Sequence, residues 1–300
     1  MFKPIHLIPE NTSINFLNLK LIFLSISLFV VLISLIASWI IGLNFGIDFR
    51  GGVLLELRSK NGFANISELR SKLNRFDLGE VSIQEFGKPT DALIRIQKQD
   101  GDEKSQDAKL NKVKEMLAIN YEIRRTEFVG PTVGEELKRN GFWAVIVALF
   151  GILMYIWFRF EWQFALSAIL ALFHDVIATI GLFVFTGLEF NLSTVAAVLT
   201  IAGYSVNDTV VVFDRVREYF GIKSGSREEI VNAALNSTLS RTINTSLTTF
   251  FVLLIIFLFG GEVIRGFMFA LMIGVVVGTY SSLFIATPIM VDTLKNDSDE

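Results

Sequence analysis

Asp208 stands in the apolar run Phe190–Phe213, six residues before Asp214. That puts it about 9 Å inside the end of the run at about 1.5 Å per helical residue. An ionisable group at bilayer depth costs at least about 2.5–3.5 kcal/mol and marks a pathway, a relay or a pair. The chemistry open to such a carboxylate is reversible cation binding, with uptake from one side of a membrane and release to the other. The plainer alternative is a hydrogen-bonded structural residue. Thr200, Tyr204, Asp208 and Arg215 recur at helical spacing and predict one polar face, with Asn207 and Asp214 on an adjoining line. Such a face must meet other helices or water.

Two further groups bear on the same chemistry. Arg241 opens a polar approach, with Thr242, Thr245, Thr248 and Thr249, to another apolar run. It is either a counter-charge for Asp208 or an ordinary topology-setting charge. His174 and Asp175 lie side by side near the middle of Trp162–Thr186. Adjacent helical residues point about 100° apart, so both cannot face one neighbour equally. A relay and a buried packing pair are both open.

The elements that position these groups follow from composition. Of 300 residues, 52% are hydrophobic and 19% charged, with 28 Phe. Ordinary globular chains run to about 45–50% apolar and about 25% charged. The excess lies in blocks. Six segments approach the roughly 20 apolar residues that a span requires: Leu19–Ile41, Gly141–Phe158, Trp162–Thr186, Phe190–Phe213, Thr245–Phe259 and Ile264–Val291. The chain therefore reads as an α-helical polytopic membrane protein with six transmembrane helices. Lys3, Lys20, Arg159, Arg215, Arg217, Lys223, Arg227 and Lys295 fall on one side of this arrangement, while the short loops opposite hold only Arg265. Basic residues favour the cytoplasm, so both termini are expected there. The first span is too long for a signal-peptide core and lacks a small-residue cleavage site, so it is expected to stay as an anchor.

Between Asn44 and Asn140 lie 17 of the 27 basic and 16 of the 30 acidic residues. A polar domain is thus inserted between the first two spans, on the extracytoplasmic side. The expected layout is an N-tail and first span over 1–43, the external domain over 44–140, five spans over 141–291 with a cytoplasmic loop at 214–244, and a C-tail over 292–300. Strands are predicted over Val53–Arg58, Val81–Phe86, Ala92–Gln97 and Tyr121–Val129, and helices over Ile66–Arg75 and Gln106–Ile119. A turn at Gly87–Thr90 separates the middle strands. This order is the α+β ferredoxin-like βαββαβ pattern.

In the loop, Val231, Ala234, Leu235 and Leu239 make an apolar stripe behind the capping pair Ser226 and Glu229. That predicts a short amphipathic helix on the membrane surface, against a partner, or packed under the bundle. In the last span, Gly274 and Gly278 with Ser281 and Ser282 form a close-packing helix face.

Several classes are set aside. A net charge of −3 argues against a nucleic-acid partner. No phosphate-binding Gly-x-x-x-x-Gly-Lys-Ser/Thr loop is present, so ATP hydrolysis is not expected. With two histidines (His6 and His174) and no cysteine, neither a His/Cys metal site nor a disulfide is expected. The local sequences around Asp175 and Asp208 give no support to a two-aspartate protease. No catalytic residue and no cofactor are assigned.

The segments resemble the SecF branch of the SecD–SecF protein-export family, relatives of the resistance-nodulation-division transporters. The resemblance spans nearly the whole chain. It rests on Gly46-Ile-Asp-Phe-Arg-Gly-Gly52, Gly130-Pro-Thr-Val-Gly-Glu-Glu-Leu137, Phe160-Glu-Trp-Gln-Phe-Ala165, His174-Asp-Val176 and the stretch Gly203–Arg215. Arg241 with Thr245-Ser246 and Gly278-Thr-Tyr-Ser-Ser282 complete it. It implies a partner, SecD, with six spans of its own, a place beside the SecY–SecE–SecG channel, and use of the proton-motive force to move preproteins. It also implies that Asp208 carries the proton, that Arg241 interacts with it, and that Gly46, Asp48, Gly51 and Gly52 open the external domain. Two readings from other classes stand beside it. In half of a small-molecule efflux transporter, the external domain should be larger and build an apolar pocket. In a non-transporting translocon scaffold, Asp208 would be dispensable.

Overall fold

The structure is a computed structural model that describes residue 9 and residues 12–76, 78–79, 81–97 and 103–296. Lys3, His6 and the Lys295 side chain lie outside the described part. Helix α1 (Lys20–Ile40) leads into a short helix α2 (Ile47–Arg50), strand β1 (Gly52–Ser59), helix α3 (Ile66–Leu73) and strands β2 (Val81–Phe86) and β3 (Lys88–Ile96). Helix α4 (Glu103–Asn120) and strand β4 (Tyr121–Val129) close the external domain. Long helices follow: α5 (Pro131–Arg159), α6 (Trp162–Thr186), α7 (Leu192–Ile222), α8 (Arg227–Phe259) and α9 (Glu262–Ser281). A π-helical turn at Ser282–Ala286 then leads into α10 (Thr287–Asn296). Among the described residues, six helical segments are long and apolar enough to cross a membrane.

Helices α6, α7 and α9 form the centre of the bundle, and small residues set their spacing. A Cβ on Gly274 would come within 2.2 Å of Ile201, and one on Gly278 within 2.9 Å of Ser205. Both glycines let α9 lie against α7, as close approach in membranes requires. Gly181 does the same for α1, where a Cβ would meet Ser34 Oγ at 2.1 Å. Large side chains fill the end far from the sheet: Phe160, Phe164, Phe213, Leu235 and Met290 share one buried cluster.

The sheet has the order β2-β3-β1-β4 with antiparallel neighbours throughout. This is the ferredoxin-like arrangement. Leu55 and Leu57 of β1 and Ile94 of β3 meet Leu69 and Leu73 of α3 and Val113 and Leu117 of α4 in a core of its own. The second sheet face is half covered, by Ile47 of α2 against Leu54 and Leu93.

Several expectations change in detail. The predicted turn Gly87–Thr90 contracts to Gly87 alone (φ +73°), and β3 begins at Lys88. Pro89 is tolerated because the β1 ladder ends at the Arg58–Asp91 pair, and the Pro89 carbonyl still accepts from Ala64 N–H at 2.8 Å. The second span's helix starts at Pro131, ten residues before its apolar run, with proline in the first turn where no N–H is needed.

The separate amphipathic helix does not exist as such. Arg227–Phe259 is one helix, and the stripe Val231, Ala234, Leu235 and Leu239 is buried in the bundle cluster beside Phe16 and Leu17. Neither Gly nor Pro interrupts it. Its Ser and Thr hydroxyls turn back onto carbonyls three or four residues earlier, as Thr245 does to Arg241 and Thr248 to Asn244. The capping pair is as expected: Glu229 N–H donates to Ser226 Oγ at 3.3 Å, and Ser226 N–H to Glu229 Oε2 at 3.0 Å.

Candidate coupling site

Asp208 is buried on α7 and faces α8. Thr242 Oγ1 donates to its Oδ1 at 2.9 Å, while Oδ2 is buried with no hydrogen-bond partner among the described residues. Four residues earlier, Tyr204 OH reaches the same helix, at 3.3 Å from the Thr245 carbonyl and 3.2 Å from Thr249 Oγ1. Thr200 does not join them. It is exposed and donates to its own Ala196 carbonyl. Each i+4 step rotates about 40° around a helix, so the predicted line of four residues spirals off the α8 contact. Asn207 is also exposed, and Arg215 pairs with Glu218 at 2.9 Å. Arg241 precedes Thr242 and is exposed, and no ion pair joins it to Asp208 among the described residues. The neighbour that touches the carboxylate is the threonine.

His174 and Asp175 belong to a second polar centre on α6, where they bond to each other: His174 Nδ1 lies 3.0 Å from Asp175 Oδ1. Oδ2 of Asp175 accepts from Ser205 Oγ of α7 at 2.5 Å and from Ser281 Oγ of α9 at 2.7 Å. Ser282, next in line, lies 2.8 Å from Thr209 of α7. Ser281 and Ser282 therefore tie helices together as well as thinning the face. Sequence reasoning placed Thr242 in the polar approach behind Arg241 but did not pair it with Asp208, and it did not single out Ser205, three residues before Asp208. Asp175 has both oxygens occupied, and Asp208 has one without a partner among the described residues.

The segment Gly46–Gly52 meets the other end of α7. Gly51 (φ +72°) caps α2, and Gly52 (φ +130°) opens β1 where a Cβ would lie 2.4 Å from the Ile96 carbonyl. Only glycine fits both demands at position 52. Asp48 Oδ2 accepts from the N–H of Leu192, the first residue of α7, at 2.9 Å. Phe45 and Phe190 form a parallel bridge, with Gly46 N–H donating to the Phe190 carbonyl at 2.9 Å and Phe190 N–H to the Asn44 carbonyl at 2.8 Å. Arg95 of β3 bonds to Glu189 in the α6–α7 loop. Burial pushes the Glu189 carboxyl above its ordinary value, the Arg95 charge opposes that, and Asp48 adds to it.

The protein family described as "Protein export membrane protein SecD/SecF, C-terminal" matches residues 108–296, and the "SecD/SecF GG Motif" family matches residues 36–62. The protein translocase subunit SecF of Desulfurispirillum indicum is 42% identical over 286 residues, covering 93% of this chain and 91% of that one. The chain belongs to the SecF branch of the SecD/SecF family. Longer relatives carry the same unit. SecDF of Brucella abortus is 42% identical over 95% of this chain but 38% of its own length. The crystal structure of Thermus thermophilus SecDF, described as a translocon-associated membrane protein, superposes with a TM-score of 0.86 at 34% identity. It covers 98% of this chain and 40% of that one. The chain thus spans about two fifths of the SecDF proteins and nearly all of the separate SecF proteins. With six helices long and apolar enough to cross a membrane among the described residues, it is a multi-pass membrane protein.

Proposed function

We propose that this chain is an accessory subunit of a bacterial protein translocase. It pairs with SecD beside the SecY–SecE–SecG channel and uses the proton-motive force to promote the late stage of preprotein movement across the cytoplasmic membrane. Asp208 is the proton carrier. The observation that carries this reading is its half-satisfied carboxylate: Thr242 fixes Oδ1, and the buried Oδ2 is left with capacity for a proton. The loaded form is neutral and tolerates the apolar interior, whereas the unloaded form needs a cation or water nearby. Arg241, one residue from Thr242, would supply that charge when the helices rearrange.

Several features support a partner. Asn207, Arg241 and Asn244 are exposed at membrane depth or near it. Lipid cannot satisfy such groups, so a second helical bundle or a water-filled seam must. SecD is the candidate, because the longer relatives carry both names in one chain. Sidedness follows from charge. Lys20, Arg159, Arg215, Arg217, Lys223 and Arg227 gather at the bundle end far from the sheet, against Arg265 at the start of α9 at the near end. Both termini are therefore cytoplasmic, and the external domain within 44–140 is periplasmic. The reading involves no covalent step and no cofactor.

The test is preprotein translocation in inverted membrane vesicles with SecD supplied, with and without an imposed proton gradient. Asp208→Asn should abolish the gradient-dependent stimulation while assembly with SecD persists. Equal stimulation in both proteins would leave a scaffold, or another coupling ion, as the better account.

A further inference from the structure

We propose that Arg95, Glu189 and Asp48 are positioning residues through which the external sheet sets the place of α7, and with it Asp208. This rests on the reading of Asp208 as the proton carrier. Three contacts converge on the six-residue stretch that ends α6 and starts α7. Arg95 comes from β3, in the middle of the sheet, and pairs with Glu189. The main chain at Asn44 and Gly46 pairs in both directions with Phe190. The Asp48 carboxylate holds the N–H of Leu192. That contact occupies an otherwise open donor at the positive end of the α7 dipole, where a carboxylate is favoured.

The joint has little slack on the bundle side. A Cβ on Gly46 would lie 2.8 Å from Glu189 Oε1, and one on Gly134 of α5 would lie 3.1 Å from Gly51 N. Helix α2 is thereby wedged between α5 and the α6–α7 loop. On the sheet side there is room. A cleft of about 540 Å³ separates the open sheet face from the bundle, and Glu56, Arg125 and Glu127 line it along with Arg95, Glu189 and Asp48. A domain resting on a tight pivot beside an open cleft can tilt, and its tilt must act on the residues of the pivot. A helix moves as a body because its hydrogen bonds are internal. Asp208 lies 16 residues beyond Leu192, about 24 Å along α7, so displacement at the first turn reaches the carboxylate. Arg95 and Glu189 are both largely shielded, with 16% and 21% of their side chains exposed, so this pair is screened less than a surface contact.

The experiment uses the full chain with SecD in inverted vesicles. Arg95→Glu and Glu189→Arg should each lose the gradient-dependent increment of translocation while gradient-independent translocation continues. The double exchange should recover most of it, because it restores the pair with its charges reversed. An exchange no better than the single variants overturns the linkage, as do single variants that keep the increment. A second measurement covers variants that fail to assemble. The chain has no cysteine, so nitroxides on Ser82→Cys and Ser193→Cys report the distance from sheet to α7 cleanly. Arg95→Met should broaden that distance distribution, and an unchanged distribution overturns the proposal. The two readings separate: an increment retained in Asp208→Asn sinks the proton carrier, whereas an increment lost there but normal across the charge-reversal series sinks the linkage alone.

Discussion

Thr242 Oγ1 donates to Asp208 Oδ1 at 2.9 Å, and the second oxygen of the same carboxylate is buried without a partner among the described residues. Helix α8 therefore holds the side chain in place through one oxygen and leaves the other open. Asp175, also in the membrane part, has the opposite arrangement, with His174, Ser205 and Ser281 on its two oxygens. The two aspartates are of one residue type in similar surroundings, and they differ in their hydrogen-bond partners.

Thr242→Val removes the donor and keeps the shape. Hydrogen bonds between membrane helices average about 0.6 kcal/mol with a maximum near 1.7, so the bundle should survive. The Asp208 side chain should lose its fixed rotamer, and gradient-dependent stimulation in vesicles should fall, with Thr242→Ser restoring most of it. Arg241→Met provides the comparison. It should also impair coupling, and normal stimulation in that variant would reduce Arg241 to a topology charge.

Asp175→Ala should unfold the bundle more readily instead of uncoupling it selectively. It strands the Ser205 hydroxyl in a dry interior, while the Ser281 hydroxyl can still turn to the Gly278 carbonyl, so a loss of about 1–3 kcal/mol is expected. Thermal unfolding of the detergent-solubilised protein reads this directly. A variant as stable as the parent, yet inactive in translocation, would move Asp175 from structural tie to relay.

The sheet was readable in the sequence because its strands alternate and its turns carry glycine. Val81–Phe86 and Tyr121–Val129 match to the residue. The spans were readable as apolar blocks, but their ends were not, since α5 and α8 extend as helix through polar residues that hydropathy cannot assign. Asp208 was legible because a charge in an apolar run is costly. Its contact with Thr242 was not, because α7 and α8 meet through tertiary packing that no local period encodes. The Asp48–Leu192 and Arg95–Glu189 contacts were hidden for the same reason, joining residues 144 and 94 positions apart.

Glycines of the bundle should differ sharply in tolerance. Gly274→Val must displace Ile201, whose Cγ1 lies 2.2 Å from where the new Cβ would sit, and so should force α9 off α7. Overpacking of this kind costs about 1–3 kcal/mol or more. Gly203→Ala meets nothing within 4 Å on the exposed side of α7, and should stabilise the helix by about 0.5–1 kcal/mol. Melting temperatures of the two variants should move in opposite directions. Equal shifts would mean that α9 does not rest on α7 as described.

In the sheet, Arg58 grips Asp91 with two bonds of 2.8 Å, Nε to Oδ1 and Nη2 to Oδ2, and Thr90 Oγ1 adds a third at 2.9 Å. The Arg58 hydrogen bonds hold the Asp91 carboxyl below its ordinary value, against the opposing effect of burial. A depressed carboxyl contributes stability that is complete above the unfolded value of about 3.9 and is lost as pH falls through the lower folded value. Acidification below about pH 4 should therefore loosen the β1–β3 ladder, read as lower amide protection factors at Leu57 and Ala92. In Arg58→Met the carboxylate keeps Thr90 but loses its charge partner, so that variant should be less protected at neutral pH and show a flatter acid dependence. Parallel acid profiles for the two proteins would show that the pair does not anchor the ladder.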